Sequence, residues 1–568
     1  MKRPRLQFAG IQRFLSKLPG YTDPEKHSLG FLNCAQFLGA LNDNTYKLAL
    51  IFFLIELKGA SSANTILSAA GAIFVIPFLL FSSMAGVLAD RYSKNRIVIL
   101  IKAAEIGIVL GIIASFAFKQ VWLGYALLFC LATQSAFFGP SKYGIIPELV
   151  PKTRVSKANG LVTSFTYLAI ILGTFFASFL VQVTGGNYIV VGLFCLLVAL
   201  VGFLSSFGIK YTPPKGSTKK IDPFFLRQIV KTLHDCRGIK HLLISIAGSS
   251  YFLFIGAFTQ LNIIPYAMNS LGLSKEMGGY LFLTTALGIA FGAVLAGRAS
   301  KKRVELGLTC VSGLAISVIF SMIGLITNNI TLTLICLFFL GIFGGYFTVP
   351  FDTFIQLFSP EEHRGHVIAA TNFLSFVGVL FASIAILLFN EAFGLTAASS
   401  FFVVGMITLL FSIYLVIRLS DLFLSFTAKK ILFKLIPMKT ENLRAVHKAK
   451  NPMLMLENGS WLKAWLLCGI VSNLHLLIPQ HRVRRFPWFE RLFFSIHRID
   501  SPEKFETLVS KGKVFLHEGV VPCIYLRKKK PIPEKHFSFR SLLPRKSFEV
   551  VTVNFEKSGK KTIARFDS

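Results

Sequence analysis

Long apolar blocks alternate with short polar loops from residue 29 to residue 418. A helix needs about 20 apolar residues to cross about 30 Å of hydrocarbon. Blocks of that size fall at 29–57, 66–88, 97–118, 121–143, 160–183 and 188–208, then at 241–269, 278–296, 304–326, 330–350, 367–389 and 395–418. The pattern predicts twelve spanning helices in two sets of six. Residues 1–28 are basic and amphipathic and lack an apolar run ending at small residues, so no cleavable signal peptide is expected.

Loop charge sets the orientation, because loops that stay inside carry the excess of Lys and Arg. The N-terminal segment carries Lys2, Arg3, Arg5, Arg13, Lys17 and Lys26. Lys58 alone follows the first span, and Arg91, Lys94 and Arg96 follow the second. Lys119 alone follows the third, and Lys142, Lys152, Arg154 and Lys157 follow the fourth. In the second set, Lys301, Lys302 and Arg303 fall inside, and Asn328 and Asn329 outside. The weakest loop is 359–366, where Glu361 and Glu362 offset Arg364. This alternation places both termini in the cytoplasm. The predicted organisation is a basic segment 1–28, a six-helix bundle 29–208, a basic loop 209–240, a second bundle 241–418 and a cytoplasmic domain 419–568.

Composition agrees. The chain has 568 residues, 53% hydrophobic and only 15% charged, against about a quarter charged in soluble domains. The net charge of +33 comes from 60 Lys plus Arg against 27 Asp plus Glu. With this much apolar sequence, the basic excess points to membrane lipids and cytoplasmic loops, not to nucleic acid. The eight cysteines include Cys34, Cys130, Cys195, Cys310 and Cys336 inside apolar blocks, with no CxxC pair. They are expected to be buried thiols, with no metal site and no cofactor.

Polar residues inside the spans are the candidate chemistry. Asn42, Asp43, Asn44 and Lys47 interrupt the first span. An ionisable group at mid-membrane is costly, so it faces a partner or a wet cavity. Asp43 and Lys47 stand four apart, on one helix face, where they can pair. Glu105, Gln134, Gln260, Asn262 and Asn372 complete the set of expected pathway residues. Such a lining suits a zwitterionic or anionic headgroup or a coupling cation. The alternative for Gln134 or Asn372 is an ordinary hydrogen bond between helices.

One segment repeats. Val87-Leu-Ala-Asp90-Arg91-Tyr-Ser-Lys94-Asn-Arg96 follows span two, and Val294-Leu-Ala-Gly-Arg298-Ala-Ser-Lys301-Lys-Arg303 follows span eight. Matching positions in the two halves indicate parallel repeats around a central pathway. The stretch Gly86 to Lys94 resembles the cytoplasmic loop signature of the major facilitator superfamily. That resemblance implies an all-α, twelve-helix membrane fold. It also implies gating loops at Gly86, Asp90, Arg91 and Lys94, with Arg298, Lys301 and Arg303 as repeat counterparts, latching the halves in one of two states. Simple anchoring of the loop at the headgroups is the alternative. The family's inner glycine is Ser93 here.

Three further stretches narrow the resemblance: Leu41-Asn-Asp-Asn-Thr-Tyr-Lys-Leu-Ala-Leu50, Phe138-Gly-Pro-Ser-Lys-Tyr-Gly-Ile-Ile-Pro-Glu-Leu-Val-Pro151 and Ala158-Asn-Gly160. Together they resemble the bacterial lysophospholipid transporters, over roughly residues 29–418. The resemblance implies a multi-pass protein of the bacterial inner membrane that flips lysophospholipids, such as lysophosphatidylethanolamine, to the inner leaflet. Transport of another small solute remains the alternative.

The tail from residue 419 holds 28 basic and 12 acidic residues, net +16, enough to hold it on anionic lipid. It opens on Leu422, Phe426, Lys429, Lys430, Phe433 and Lys434, which read as an interfacial helix. Asn451 to Leu467 resembles the first block of glycerolipid acyltransferases, which implies a small α/β domain. That family places a His general base and, five residues on, an orienting Asp. Asn458 and Lys463 stand at those positions, and neither performs its role. Gly512 to Gly519 resembles the family's phosphate-binding block, keeping Glu518 and Gly519 with His517 in place of Pro. The resemblance therefore implies a lapsed, non-catalytic domain. Two readings stay open: headgroup binding or docking of a partner acyltransferase or acyl-carrier enzyme, against a membrane-surface domain with no ligand.

Overall fold

The computed structural model describes residues 24–59, 62–218, 224–300, 304–326, 328–436, 438–443, 452–459, 461–471, 474–479, 496–499, 521–527, 549–558 and 561–567. Twelve long helices are found among them. In the first half these are α1 (Pro24–Lys58), α2 (Ala63–Arg91), α3 (Lys94–Ala117), α4 (Val121–Leu149), α5 (Val155–Val183) and α6 (Tyr188–Ser206). In the second they are α7 (Leu242–Leu271), α8 (Lys275–Ala299), α9 (Leu306–Leu325), α10 (Ile330–Phe358), α11 (Arg364–Leu387) and α12 (Ala397–Arg418). Eleven are long and apolar enough to cross a membrane. The one left over, α1, is as long, but the run Asn42 to Lys47 breaks its apolar stretch.

Several helices continue past the apolar blocks. Helix α4 runs to Leu149, so Lys142 sits about two turns inside it and not in the following loop. Lys94 likewise opens α3, buried, with its ammonium 2.9 Å from Glu148. Two residues counted as loop charges are therefore parts of the helical framework.

The chain divides into two compact units, Met1–Val304 with Ser312–Leu409, and Glu305–Val311 with Leu410–Ser568. In the first unit, aromatic rings fill the interior of each half. Phe53 stacks edge-on to Phe116 and Tyr188, with centroids 5.0 and 5.2 Å away. Phe401 packs edge-on to Phe258 and Tyr266. Two pairs of helices make the largest contacts between the halves, α2 with α11 and α5 with α8, with α5–α10 and α4–α11 beside them. The internal repeat relates α2 to α8 and α5 to α11, so the two contacts are repeat equivalents. The 209–240 loop is not featureless. Its helix Phe225–Asp235 buries Ile229 against Ala370 and Phe373, and Gln228 accepts a 2.8 Å hydrogen bond from Ser83.

In the second unit the described strands form one seven-stranded sheet. They are β1 (Met438–Glu441), β2 (Pro452–Gly459), β3 (Leu474–Pro479), β4 (Ile496–Ile499), β5 (Val521–Arg527), β6 (Glu549–Ser558) and β7 (Lys561–Asp567). Their order is β1-β7-β6-β2-β5-β3-β4, parallel except for the β6–β7 hairpin. Helix Trp461–Ile470 follows β2 and buries Ala464 and Leu467 with Leu454, Leu456, Val553 and Phe566. The segment read as an interfacial helix forms Ser420–Thr427, and its Leu424 joins that same core.

Candidate functional site

Helix α1 carries its polar run into the interior of the first half. Asn42 donates to Glu105 Oε1 at 2.9 Å and to the Cys195 carbonyl at 3.1 Å. Glu105 is fully buried and also accepts from Lys102 Nζ at 2.6 Å and Gln134 Nε2 at 3.4 Å. One carboxylate thus gathers donors from α1, α3 and α4. A buried ion pair is tolerated when hydrogen bonds satisfy the remaining lone pairs, and here they do.

Asp43 and Lys47 do not pair with each other. Asp43, 8% exposed, accepts a 2.6 Å hydrogen bond from Ser135 of α4, and its Oδ1 is a buried oxygen with no hydrogen-bond partner. Lys47 places its ammonium 4.9 Å from the centre of the Phe74 ring, a cation–π contact. Asn44 donates to the Ala40 carbonyl of its own helix.

The expected pathway residues of the second half are dispersed. Gln260 is exposed on α7. Asn262 is buried and ties α7 to the start of α12 by a 2.8 Å bond to the Ala397 carbonyl. Asn372 is half-buried on α11, opposite Gly139 of α4.

A second charged set is carried by α4 and α10. Lys142 is half-buried, 3.5 Å from Gln36 Oε1 and 4.5 Å from the centre of the Tyr143 ring. Gln36 Oε1 also accepts from Thr166 of α5 at 2.9 Å. On α10 of the other half, Asp352 accepts from Ser249 at 2.7 Å and Thr348 at 3.4 Å. Sequence reasoning missed both charges. Lys142 was assigned to a loop, and Asp352 lies two residues beyond the apolar block 330–350. Lys102 was also missed, although Lys102-Ala-Ala-Glu105 inside an apolar span carries the spacing of an i,i+3 pair.

The segment read as a gating loop joins the halves at the end bearing the basic loops. Asp90 is fully buried and accepts from the Gly365 and His366 amides at 2.7 and 3.0 Å, with His366 Nδ1 2.5 Å away. It therefore caps the N-terminus of α11 across the junction, where free amides and the helix dipole favour an anion. Gly86 makes this approach possible, because a Cβ there would lie 2.6 Å from Ala369 Cβ and 2.8 Å from the Gly365 carbonyl. Arg91 is half-buried at the end of α2. Among the described residues the group with metal-ligand chemistry is Asp90, His363 and His366, with ligand atoms within 4.8 Å of one another. The Asp90 oxygens are engaged by the α11 amides, so the group serves as a helix cap.

At the repeat-related contact, Gly297 stands where Asp90 stands. A Cβ on Gly297 would meet the Ser156 carbonyl at 2.9 Å, and one on Gly160 would meet the Ala293 carbonyl at 2.4 Å. Close backbone packing replaces the carboxylate cap. Beside it, Asn159 of α5 and Gln356 of α10 exchange two amide hydrogen bonds of 3.1 and 2.9 Å, and Asn159 also reaches Thr353 at 3.1 Å. Arg298 is exposed, and Lys301 and Arg303 lie outside the described residues. Asn458 falls near the end of β2 and Lys463 in the first turn of the helix that follows. Glu518 and Gly519 also lie outside the described residues.

Twelve helices in two repeated halves, with polar groups buried in the apolar region and a clasp joining the halves at one end, define a multi-pass membrane transporter. The chain belongs to the Major Facilitator Superfamily, whose sequence model matches residues 32–383 and 246–478. It is 27% identical to the lysophospholipid transporter LplT of Photorhabdus laumondii over 329 residues, 57% of this chain and 78% of that one. It is 27% identical over 361 residues to LplT of Klebsiella pneumoniae, covering 62% of this chain and 85% of the relative. The fold is shared with the E. coli fucose:proton symporter FucP (13% identity, TM-score 0.56, 69% of this chain, 98% of that one). The human organic anion transporter MFSD10 shares it too (15% identity, TM-score 0.54, 69% and 100%).

Proposed function

We propose that the protein flips lysophospholipids to the inner leaflet of a bacterial cell membrane by alternating access. The observation that carries this reading is the similarity to lysophospholipid transporters across most of their length. Two structural features support it. The halves are clasped at the basic-loop end by the Asp90 cap and the Asn159–Gln356 pair, contacts that must break for that end to open. The buried polarity around Asp43 and Glu105 supplies polar groups at membrane depth, which a headgroup crossing the bilayer requires. The positive loops support a cytoplasmic orientation of the clasped end, and in that orientation the conformation described is closed inward. The acyl chain stays partly in lipid as the two halves part.

The tail is read as a lapsed acyltransferase-like domain. Its parallel strands, with Asn458 and Lys463 at a strand-to-helix junction, support that reading. Its basic charge supports contact with anionic lipid.

The test is transport in proteoliposomes. Labelled lysophosphatidylethanolamine should cross in the presence of the protein, with and without a sodium or proton gradient to identify coupling. Movement of a soluble sugar or organic anion with no lysophospholipid flipping would refute the proposal.

A further inference from the structure

Lys142 and Asp352 are opposite charges carried by opposite halves, within the long apolar helices α4 and α10. Among the described residues neither belongs to an ion pair. The polar neighbours of Lys142 are Gln36 and the Tyr143 ring, and those of Asp352 are the Ser249 and Thr348 hydroxyls. Helices α4 and α10 touch across the junction, and each charge lies within electrostatic reach of the other. Tyr143 and Tyr167 of the first half also lie within reach of Asp352, so that carboxylate faces the junction.

Charges held inside a spanning helix without an ion pair are expensive and are kept where something is to be bound. Two other charges nearby are already answered within one half. Glu105 has Lys102 and two amides, and Lys47 has Phe74. Asp43 also lies within electrostatic reach of Lys142, with one oxygen bonded to Ser135 and the other without a hydrogen-bond partner, but it belongs to the same half as Lys142. Among the described residues, Asp352 is the opposite charge that acts on Lys142 from across the junction.

We infer that Lys142 and Asp352 form a headgroup clamp, in which the ammonium holds the phosphate of a lysophospholipid and the carboxylate holds its headgroup amine. This rests on the lysophospholipid reading above. A zwitterion satisfies both charges at once and ties α4 to α10, drawing the halves together. An anionic headgroup satisfies only Lys142. The aromatic rings of Tyr143 and Tyr167 give the ammonium of the substrate a second favourable surface.

The experiment measures flipping of three lysophospholipids by the full-length protein in proteoliposomes: ethanolamine, N-acetylated ethanolamine and glycerol headgroups. Native protein should favour the free amine over its N-acetyl form by roughly tenfold or more, the worth of one charge-assisted hydrogen bond. Asp352→Asn keeps an acceptor for Ser249 and should cut the ethanolamine-to-glycerol ratio by about the same factor. Lys142→Gln should lower transport of all three, since all carry the phosphate. A ratio within twofold of native in Asp352→Asn, or no discrimination of the N-acetyl form by native protein, would overturn the clamp. If Asp352→Asn does not fold, the native comparison decides alone. Native protein that flips every headgroup equally defeats the clamp and leaves the proposed function standing. Native protein that flips none defeats both.

Discussion

Replacing Asp90 by Asn should loosen the junction between the halves by an amount that can be estimated. The fully buried carboxylate accepts from two α11 amides and faces the His366 ring. Asn retains one acceptor oxygen, which can keep the Gly365 bond. Its NH2 group then faces the His366 amide, donor against donor. One hydrogen bond to a charged group is lost, worth about 1.5–3 kcal/mol. The interaction of the negative charge with the α11 N-terminus is lost as well, worth about 0.3–1 kcal/mol and more when partly buried. The total is about 2–4 kcal/mol, a shift of roughly 30- to 700-fold toward the open junction. Hydrogen–deuterium exchange in lipid nanodiscs reads this directly. When reclosing is fast, amide exchange follows the open population. Peptides covering 360–372 should lose protection by a factor in that range, and the middle of α11 should serve as the unchanged control. Protection of that first turn within threefold of native would refute the assignment of Asp90 as the clasp.

Three further outcomes follow from the same geometry. Glu105→Ala strands Lys102 in the interior and should cost about 3–5 kcal/mol, seen as a lower thermal midpoint, while Lys102→Met with Glu105→Leu should recover most of it. Gly160→Leu cannot fit against the Ala293 carbonyl, so the Asn159–Gln356 junction should open, and thiol labelling of a cysteine placed at Gln356 should rise at least tenfold above the same cysteine with Gly160 kept, a shift of about 1.4 kcal/mol. The native tail should transfer no acyl chain from an acyl thioester to lysophosphatidylethanolamine in a radiolabel assay, and measurable transfer would contradict the lapsed reading.

The helical architecture was legible because apolar length and loop charge both act locally, and the Val87–Arg96 repeat exposed the two halves. The gating segment was legible on one side only. Asp90 stands out in sequence, but its partner is the start of a helix 275 residues away, where backbone amides carry no sequence mark. The polar site was half legible. Asn42 and Asp43 interrupt an apolar run and announce themselves. Lys142 lies next to the end of its apolar block and was counted with the loop charges, and Asp352 lies two residues beyond its block, so a reading that ends a helix with its apolar run passes over both. The Asp43–Lys47 pairing failed for a related reason. Spacing permits an i,i+4 contact, but Ser135 and Phe74 on neighbouring helices supply competing partners that only tertiary packing reveals.

The central claim is that lysophospholipid crosses only when the clasped end opens. Cysteines placed at Asn159 and Gln356, in a background freed of native thiols, can be bridged by a short reducible cross-linker. Flipping of labelled lysophosphatidylethanolamine should stop on cross-linking and return on reduction. Flipping that continues at the native rate with the bridge fully formed would contradict alternating access at this junction.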